Sequence, residues 1–246
     1  MTYCLAINTN QGLVFCSDSR TNAGFDNVST YSKMHAFIWP GNRMLVLLSA
    51  GNLATTQAVL KRLNADLEHA ASANLLGVPT MREAADYVAM VSAEVQKQQS
   101  FRDASGGTYE ATFILGGQIG YAPPETLLIY AQGNYIHESN EHPFLQIGEV
   151  KYGKPILDRV IKRETQLEAA ARCALVSMNS TMRSNLTVGP PVEVMIYARD
   201  ALNGGRRFTL AEDDPFAKNI SQSWNSGLTQ ALDNLPRFPW EDEMVK

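Results

Sequence analysis

The sequence predicts an α+β fold of antiparallel sheets with helices outside them, and three observations carry that prediction. Strands and helices come in segregated runs, in the order strands, two helices, strands, two helices, strands, which argues against alternating βαβ units. Successive strands are joined by short turns at Asn10-Gln11-Gly12, Pro40-Gly41-Asn42, Ala122-Pro123-Pro124-Glu125 and Asn203-Gly204-Gly205, the connections of antiparallel pairs. The opening strand is apolar on both faces, with Leu5 and Ile7 on one side and Cys4 and Ala6 on the other, so its sheet is covered on both sides. A chain of 246 residues, 45% hydrophobic and 19% charged, suits one domain with a large core. That domain is expected over residues 1–246, with 211–246 as a C-terminal helix and tail.

The elements follow in order. Met1 to Asn8 and Leu13 to Arg20 read as a hairpin, followed by a polar loop over Thr21 to Ser32. His35 to Trp39 and Arg43 to Ser49 form a second hairpin. From Asn52 to Ala71 the residues Leu53, Gln57, Leu60, Leu63 and Leu67 recur at helical spacing and are expected to form the buried stripe. Thr80 followed by Glu83 is a capping-box arrangement, opening a helix whose buried stripe is Ala84, Tyr87, Val88, Val91 and Val95. A flexible loop is expected over Phe101 to Thr108, then strands at Glu110 to Ile119 and Thr126 to Tyr130, and an irregular strand and turn region from Asn134 to Gln146. Helices are expected over Val150 to Lys162 and Gln166 to Thr181, and strands over Val192 to Ala198 and Arg207 to Leu210. A last helix, around Ile220 to Leu235, leads into Pro236-Arg237-Phe238-Pro239-Trp240, where two aromatics can anchor an extended tail in a neighbour's groove. The alternative is a tail folded on its own domain.

Composition narrows the function. A net charge of −4 gives no electrostatic reason to expect nucleic acid or an anionic membrane as partner. Three dispersed cysteines (Cys4, Cys16, Cys173) and four histidines without ligand spacing argue for neither a disulfide framework nor a metal site, and no cofactor is called for. Apolar runs such as Met44 to Leu48 are far short of the roughly 20 residues of a membrane span, and no basic segment precedes a hydrophobic stretch at the start. A cytoplasmic protein is expected.

One residue carries specific chemistry. Removing Met1 would leave Thr2 with both a hydroxyl and a free α-amine, and a terminal amine, with an ordinary pKa of about 8, can serve as the base that activates the hydroxyl. Taken alone, Thr2 reads more often as an incidental strand start than as a nucleophile. Asp18 and Lys33 alone read as a turn acid and a solvated loop lysine, and Gly51 as a helix-start glycine.

Taken together, Thr2-Tyr3-Cys4, the run Ser17 to Gly24, Ser29-Thr30 before Ser32-Lys33-Met34, and Ser49 to Gln57 resemble the proteasome β-subunit family of N-terminal-nucleophile hydrolases, and within it the bacterial ancestral β-subunit branch, usually called Anbu. The likeness covers nearly the whole chain and is most specific in the first sixty or so residues. It implies a four-layer αββα sandwich with the nucleophile at a strand end between the sheets. It also implies Thr2 as nucleophile, Asp18 as the acid that steers the ammonium of Lys33, and the Gly51 N–H as oxyanion donor. Thr21 and Asn22 would hold a substrate backbone as an added strand, with Ser49 and Leu53 bordering a side-chain pocket, and Arg20 would support the loop.

The chain departs from the family pattern in three places. The family's Gly-Ser-Gly segment appears as Gly148-Glu149-Val150, so Glu149 stands where a supporting serine is usual. Its Arg-Asp-x-x-Ser-Gly segment appears as Arg183-Ser184-Asn185-Leu186-Thr187-Val188, so Ser184 replaces a supporting aspartate while Thr187 keeps a hydroxyl. The spacing from Asp18 to Lys33 is one residue tighter. The function implied is a threonine peptidase acting on peptide or protein substrates. Amide-bond transfer or a non-peptide amidohydrolase is the alternative within enzymes, and a catalytically weak ring-forming scaffold the alternative outside them. Self-association into a ring or open helical ring is part of the same resemblance, which is silent on a regulatory ATPase.

Overall fold

In a computed structural model, which describes residues 1–22, 28–102 and 107–241, the opening hairpin lies at the heart of the molecule. β1 (Tyr3–Thr9) and β2 (Gly12–Asp18) pair antiparallel, from Cys4 opposite Ser17 to Thr9 opposite Gly12, and every residue of both is buried. Gly12 permits the turn, since its φ is +145° and a β-carbon there would stand 2.0 Å from the Tyr197 carbonyl oxygen.

β3 (Arg20–Asn22) and β4 (Val28–Thr30) form a two-stranded ribbon, followed by β5 (Met34–Trp39), β6 (Arg43–Gly51), α1 (Leu53–Glu68) and α2 (Met81–Arg102). Then come β7 (Ala111–Ile119), β8 (Glu125–Ile129), β9 (Tyr135–His137), β10 (Phe144–Gly148), α3 (Lys154–Val160) and α4 (Leu167–Ser184). β11 (Val192–Ala198), β12 (Arg206–Leu210) and α5 (Pro215–Asp233) complete the order. The strands build two five-stranded sheets, β10-β1-β2-β11-β12 and β5-β6-β7-β8-β9, with antiparallel neighbours throughout.

The sheets face each other across a core that includes Cys4, Ala6, Phe15 and Met195 from the first and Met44, Val46, Leu48 and Ile114 from the second. The other face of the second sheet, with Leu45, Leu47, Phe113 and Leu115, packs against Val59 and Leu63 of α1 and Ala84, Val88 and Val91 of α2. α4 covers β1, β2 and β11 from the opposite side, alongside α3. The layers therefore run helices, sheet, sheet, helices.

Local differences from the sequence reading have physical causes. Residues 20–22 and 28–30 are strands within the expected loop, too short to show periodicity, and residues 23–27 lie outside the described residues. α1 buries Leu63 as expected, with Leu60 and Leu67 packed partly against the same core, but Thr55, Thr56 and Val59 complete the buried face and Gln57 is exposed. α3 starts at Lys154, not Val150, because Pro155 lacks an N–H and belongs in a first turn. α2 extends through Phe101 and Arg102 into the expected loop, of which residues 103–106 are outside the described set. The Thr80–Glu83 capping box forms as expected, the Glu83 N–H donating to Thr80 Oγ1 at 3.2 Å and the hydroxyl donating to Glu83 Oε2 at 2.6 Å.

By contact the chain divides into Met1–Glu212 and Asp213–Lys246. In the second unit Asp214 caps α5, its Oδ1 accepting the N–H of Phe216 at 2.9 Å and of Ala217 at 3.0 Å, with Pro215 in the first turn. α5 buries none of its residues, and beyond it the Phe238 and Trp240 rings stack with centroids 4.6 Å apart. No helix among the described residues is long and apolar enough to cross a membrane.

Candidate active site

The end of the first hairpin and the start of the second sheet converge on one carboxylate. Asp18, the last residue of β2, is fully buried. Its Oδ1 accepts the Lys33 ammonium at 2.7 Å and the Tyr3 amide, the one directly after Thr2, at 3.0 Å, while Oδ2 accepts the Gly189 amide at 3.3 Å. Burial pushes the Asp18 carboxyl up from its ordinary value, against the pull of Lys33 and of the two amides. Lys33 is 6% exposed and makes a second bond, to the Arg20 carbonyl at 2.7 Å. Its own carbonyl accepts the Ser49 amide at 3.0 Å, which ties it to β6. The Arg20 guanidinium donates to the Leu186 carbonyl at 2.8 Å, so the loop that offers a carbonyl to Lys33 is itself anchored.

Thr2 stands just before β1, its carbonyl accepting the Glu149 amide at 2.8 Å. Only glycine fits at 148, where φ is +84° and a β-carbon would lie 1.9 Å from that same carbonyl oxygen. Thr2, Thr21, Lys33, Ser49, Gly51 and Leu53 all line a cleft of about 330 Å³, to which the Leu53–Gln57–Leu60 face of α1 turns. Met1, Tyr31 and His35, which the sequence did not single out, line it too. Asn22 ends β3 beside Thr21. Gly51 closes β6 with φ at +110°, and Asn52 caps α1 by accepting the Thr55 amide at 3.1 Å, so the positive end of the helix opens beside the cleft.

Of the positions that depart from the family pattern, Glu149 joins a separate cluster and Ser184 does not. Glu149 is buried and its Oε2 accepts the Asn185 side-chain amide at 3.1 Å. Asn185 Oδ1 in turn accepts the Thr187 hydroxyl at 2.6 Å and the Thr187 amide at 3.0 Å. Ser184 ends α4 and is exposed, and neither it nor Thr187 lines the cleft. The contact to Glu149 runs through Asn185, which nothing in the sequence sets apart from its neighbours. The α-amine at Met1 feels both clusters. Burial lowers it from its ordinary value and Lys33 adds to the fall, while Asp18 and Glu149 pull it back up. Among the described residues no group of three or more His, Cys, Asp or Glu could hold a metal ion.

The solved structures similar to this chain decide its family. Anbu (ancestral β-subunit) from Yersinia bercovieri matches with a TM-score of 0.91 and 43% identity over 96% of this chain and 99% of that one. The chain belongs to the Anbu family. A helical assembly of the Anbu complex from Pseudomonas aeruginosa matches at TM-score 0.92 and 45% identity, over 97% and 98% of the two chains. A Gly-1 mutant of Anbu from Hyphomicrobium sp. strain MC1 matches at 0.90 and 41%, over 97% and 99%. No family model and no curated protein matches the chain. The proteasome-like four-layer fold of this Anbu chain thus places Thr2, Lys33 and Gly51 around one opening, with Asp18 behind them.

Proposed function

We propose that the chain is a threonine-type peptidase subunit, active once the Met1–Thr2 bond is cleaved. The observation that carries this is Asp18 Oδ1 shared between the Lys33 ammonium at 2.7 Å and the Tyr3 amide at 3.0 Å, next to a cleft that both Thr2 and Lys33 line. Thr2 Oγ1 attacks the substrate carbonyl carbon and its proton passes to the Thr2 α-amine. Lys33 favours the developing alkoxide, and the Gly51 amide takes the oxyanion. Collapse breaks the C–N bond, the leaving amine takes the proton, and an ester remains on Thr2. Water, activated by the same amine, then releases the acid and restores the hydroxyl. Thr21 and Asn22 on β3 receive the substrate backbone, and Ser49 and Leu53 border the side-chain pocket. Glu149, Ser184 and Thr187 stand where the family carries supporting groups.

The test uses protein that begins at Thr2, verified by intact mass, and a peptide epoxyketone, which reacts with hydroxyl and amine together. A single adduct on the Thr2 peptide is expected, absent from Thr2→Ala and from protein that keeps Met1. Absence of both the adduct and peptide cleavage in Thr2-starting protein would leave the scaffold reading in its place. Acyl transfer to an added amine in preference to water would point to amide-bond transfer.

Self-association belongs to the same proposal. Its support is the similarity to the helical Pseudomonas aeruginosa assembly and the α5 unit, whose Phe216, Leu228 and Leu232 are exposed and suited to docking on a neighbouring copy. Light scattering of the full chain should give a mass of several subunits, and a monomer at micromolar concentration would refute it. A cytoplasmic location fits the same picture.

A further inference from the structure

A further buried carboxylate lies on the strand next to that of Asp18, opposite Ser17. Glu193, on β11, is 7% exposed. Its Oε2 accepts the Ser32 hydroxyl at 2.6 Å, and its Oε1 accepts Arg207 Nη2 of β12 at 2.6 Å. The same Arg207 nitrogen also donates to the Met34 carbonyl at 3.0 Å. Ser32 Oγ lies 3.1 Å from that Met34 carbonyl and 3.4 Å from the Met34 amide. Both neighbours of Lys33 in the chain are therefore tied to one Glu193–Arg207 pair, although none of these groups is bonded to the ammonium.

We propose that Glu193 is a positioning residue for Lys33, acting through Ser32 and Arg207 to aim the ammonium at Asp18. The geometric reason is that Lys33 precedes β5, outside the regular ladder that would otherwise fix its direction. Its carbonyl is held by the Ser49 amide alone. A long side chain with four rotatable bonds reaches a fixed point reproducibly only if its backbone is held on both sides. Ser49 supplies one constraint from the second sheet. Glu193 and Arg207 supply the others from the first sheet, so the two sheets jointly define where the ammonium stands. A displacement of about 1 Å at such a group can cost up to a hundredfold in rate.

The inference rests on Lys33 having the catalytic role proposed above, and two measurements on the full chain separate the two claims. The first is the rate at which each lysine is acetylated by an N-hydroxysuccinimide ester, read peptide by peptide, with Lys61, Lys97 and Lys151 as internal references. In Glu193→Ala and Ser32→Ala the Lys33 rate should rise about fivefold to tenfold, the factor that one lost hydrogen bond carries, while the reference lysines stay unchanged. Glu193→Gln, which still accepts from Ser32, should fall between. The second is epoxyketone labelling of Thr2-starting protein. There Glu193→Ala should lower the maximal labelling rate about tenfold or more and leave the half-saturating concentration unchanged.

An unchanged Lys33 acetylation rate in both Glu193→Ala and Ser32→Ala overturns the positioning role. Should Glu193→Ala fail to fold, Ser32→Ala decides, since Ser32 is exposed and loses only a hydroxyl. If Thr2 of the wild-type protein takes no label, the peptidase reading fails, and the acetylation rates still decide whether Glu193 positions Lys33.

Discussion

Two buried carboxylates flank the start of β1, and they are built differently. Asp18 is closed off by a cation and two amides drawn from three parts of the chain, whereas Glu149 accepts the Asn185 side-chain amide at 3.1 Å and the Lys151 amide at 3.4 Å and belongs to none of the ion pairs among the described residues. Asp18 therefore has its charge compensated by a cation, while Glu149 is compensated by hydrogen bonds alone; of the charges that act on the Met1 amine, Lys33 and Asp18 outweigh Glu149. Asp18 is thus half of an ion pair, and Glu149 a carboxylate held by neutral donors.

The largest expected effect breaks the stronger side. Asp18→Ala leaves the Lys33 ammonium buried and unpaired, and should cost about 3 to 5 kcal/mol in urea unfolding as well as all epoxyketone labelling. Glu149→Ala strands only hydrogen-bond donors and should cost about 1 to 3 kcal/mol in the same measurement. Equal losses for the two would erase the contrast.

A subtler effect sharpens it. The base must be neutral to take the Thr2 proton, so the labelling rate rises with pH through the amine's pKa. The Met1 amine is lowered first by burial and then by Lys33, while Asp18 and, least of all, Glu149 raise it, and the Thr2 amine that cleavage frees is expected to feel the same signs. Glu149→Gln removes a raising charge, the ammonium gives up its proton sooner, and the rising limb of the labelling profile should move to lower pH. A limb that stays put, or moves up, would show that Glu149 does not tune the base.

The smallest effect lies one residue before Asp18. Ser17 Oγ is the buried side-chain polar atom left without a hydrogen-bond partner among the described residues. Ser17→Ala should change stability by no more than about 0.5 kcal/mol, or raise it slightly, in the same unfolding assay. A loss comparable to that of Glu149→Ala would mean that the Ser17 hydroxyl supports the Asp18 side of the site.

Much of the fold was legible because its signals are local. The Asn10-Gln11-Gly12 turn, the Thr80–Glu83 box and the spacing of Ala84, Val88 and Val91 each act within a few residues, and each leaves its mark in the chain. Pro155 is an equally local signal, marking the first turn of α3. On α1 the expected Leu63 is buried and Leu60 and Leu67 pack partly against the core, but Gln57 is exposed, because two threonines, Thr55 and Thr56, take buried positions that composition alone would assign to leucines. Leu53, Thr56 and Leu60 border the cleft, and Leu60 packs against the core as well. In the candidate site, Thr2, Asp18 and Lys33 could be named from their resemblance to a family, but Asn185, Gly189 and Glu193 could not. Each is an ordinary residue made relevant by a contact across more than thirty positions of sequence.

By itself, the sequence determined the types of most elements and the antiparallel character of the sheets, since turns, caps and apolar periodicity are properties of neighbours. Only the tertiary structure decided that β10 would close the first sheet beside β1, that Asp18 would take Lys33 and the Tyr3 amide on one oxygen, and that Glu149 would meet Asn185. Those choices depend on which buried polar groups can satisfy one another once the two sheets are packed, and a buried carboxylate finds its donors by proximity in space, whatever their separation along the chain.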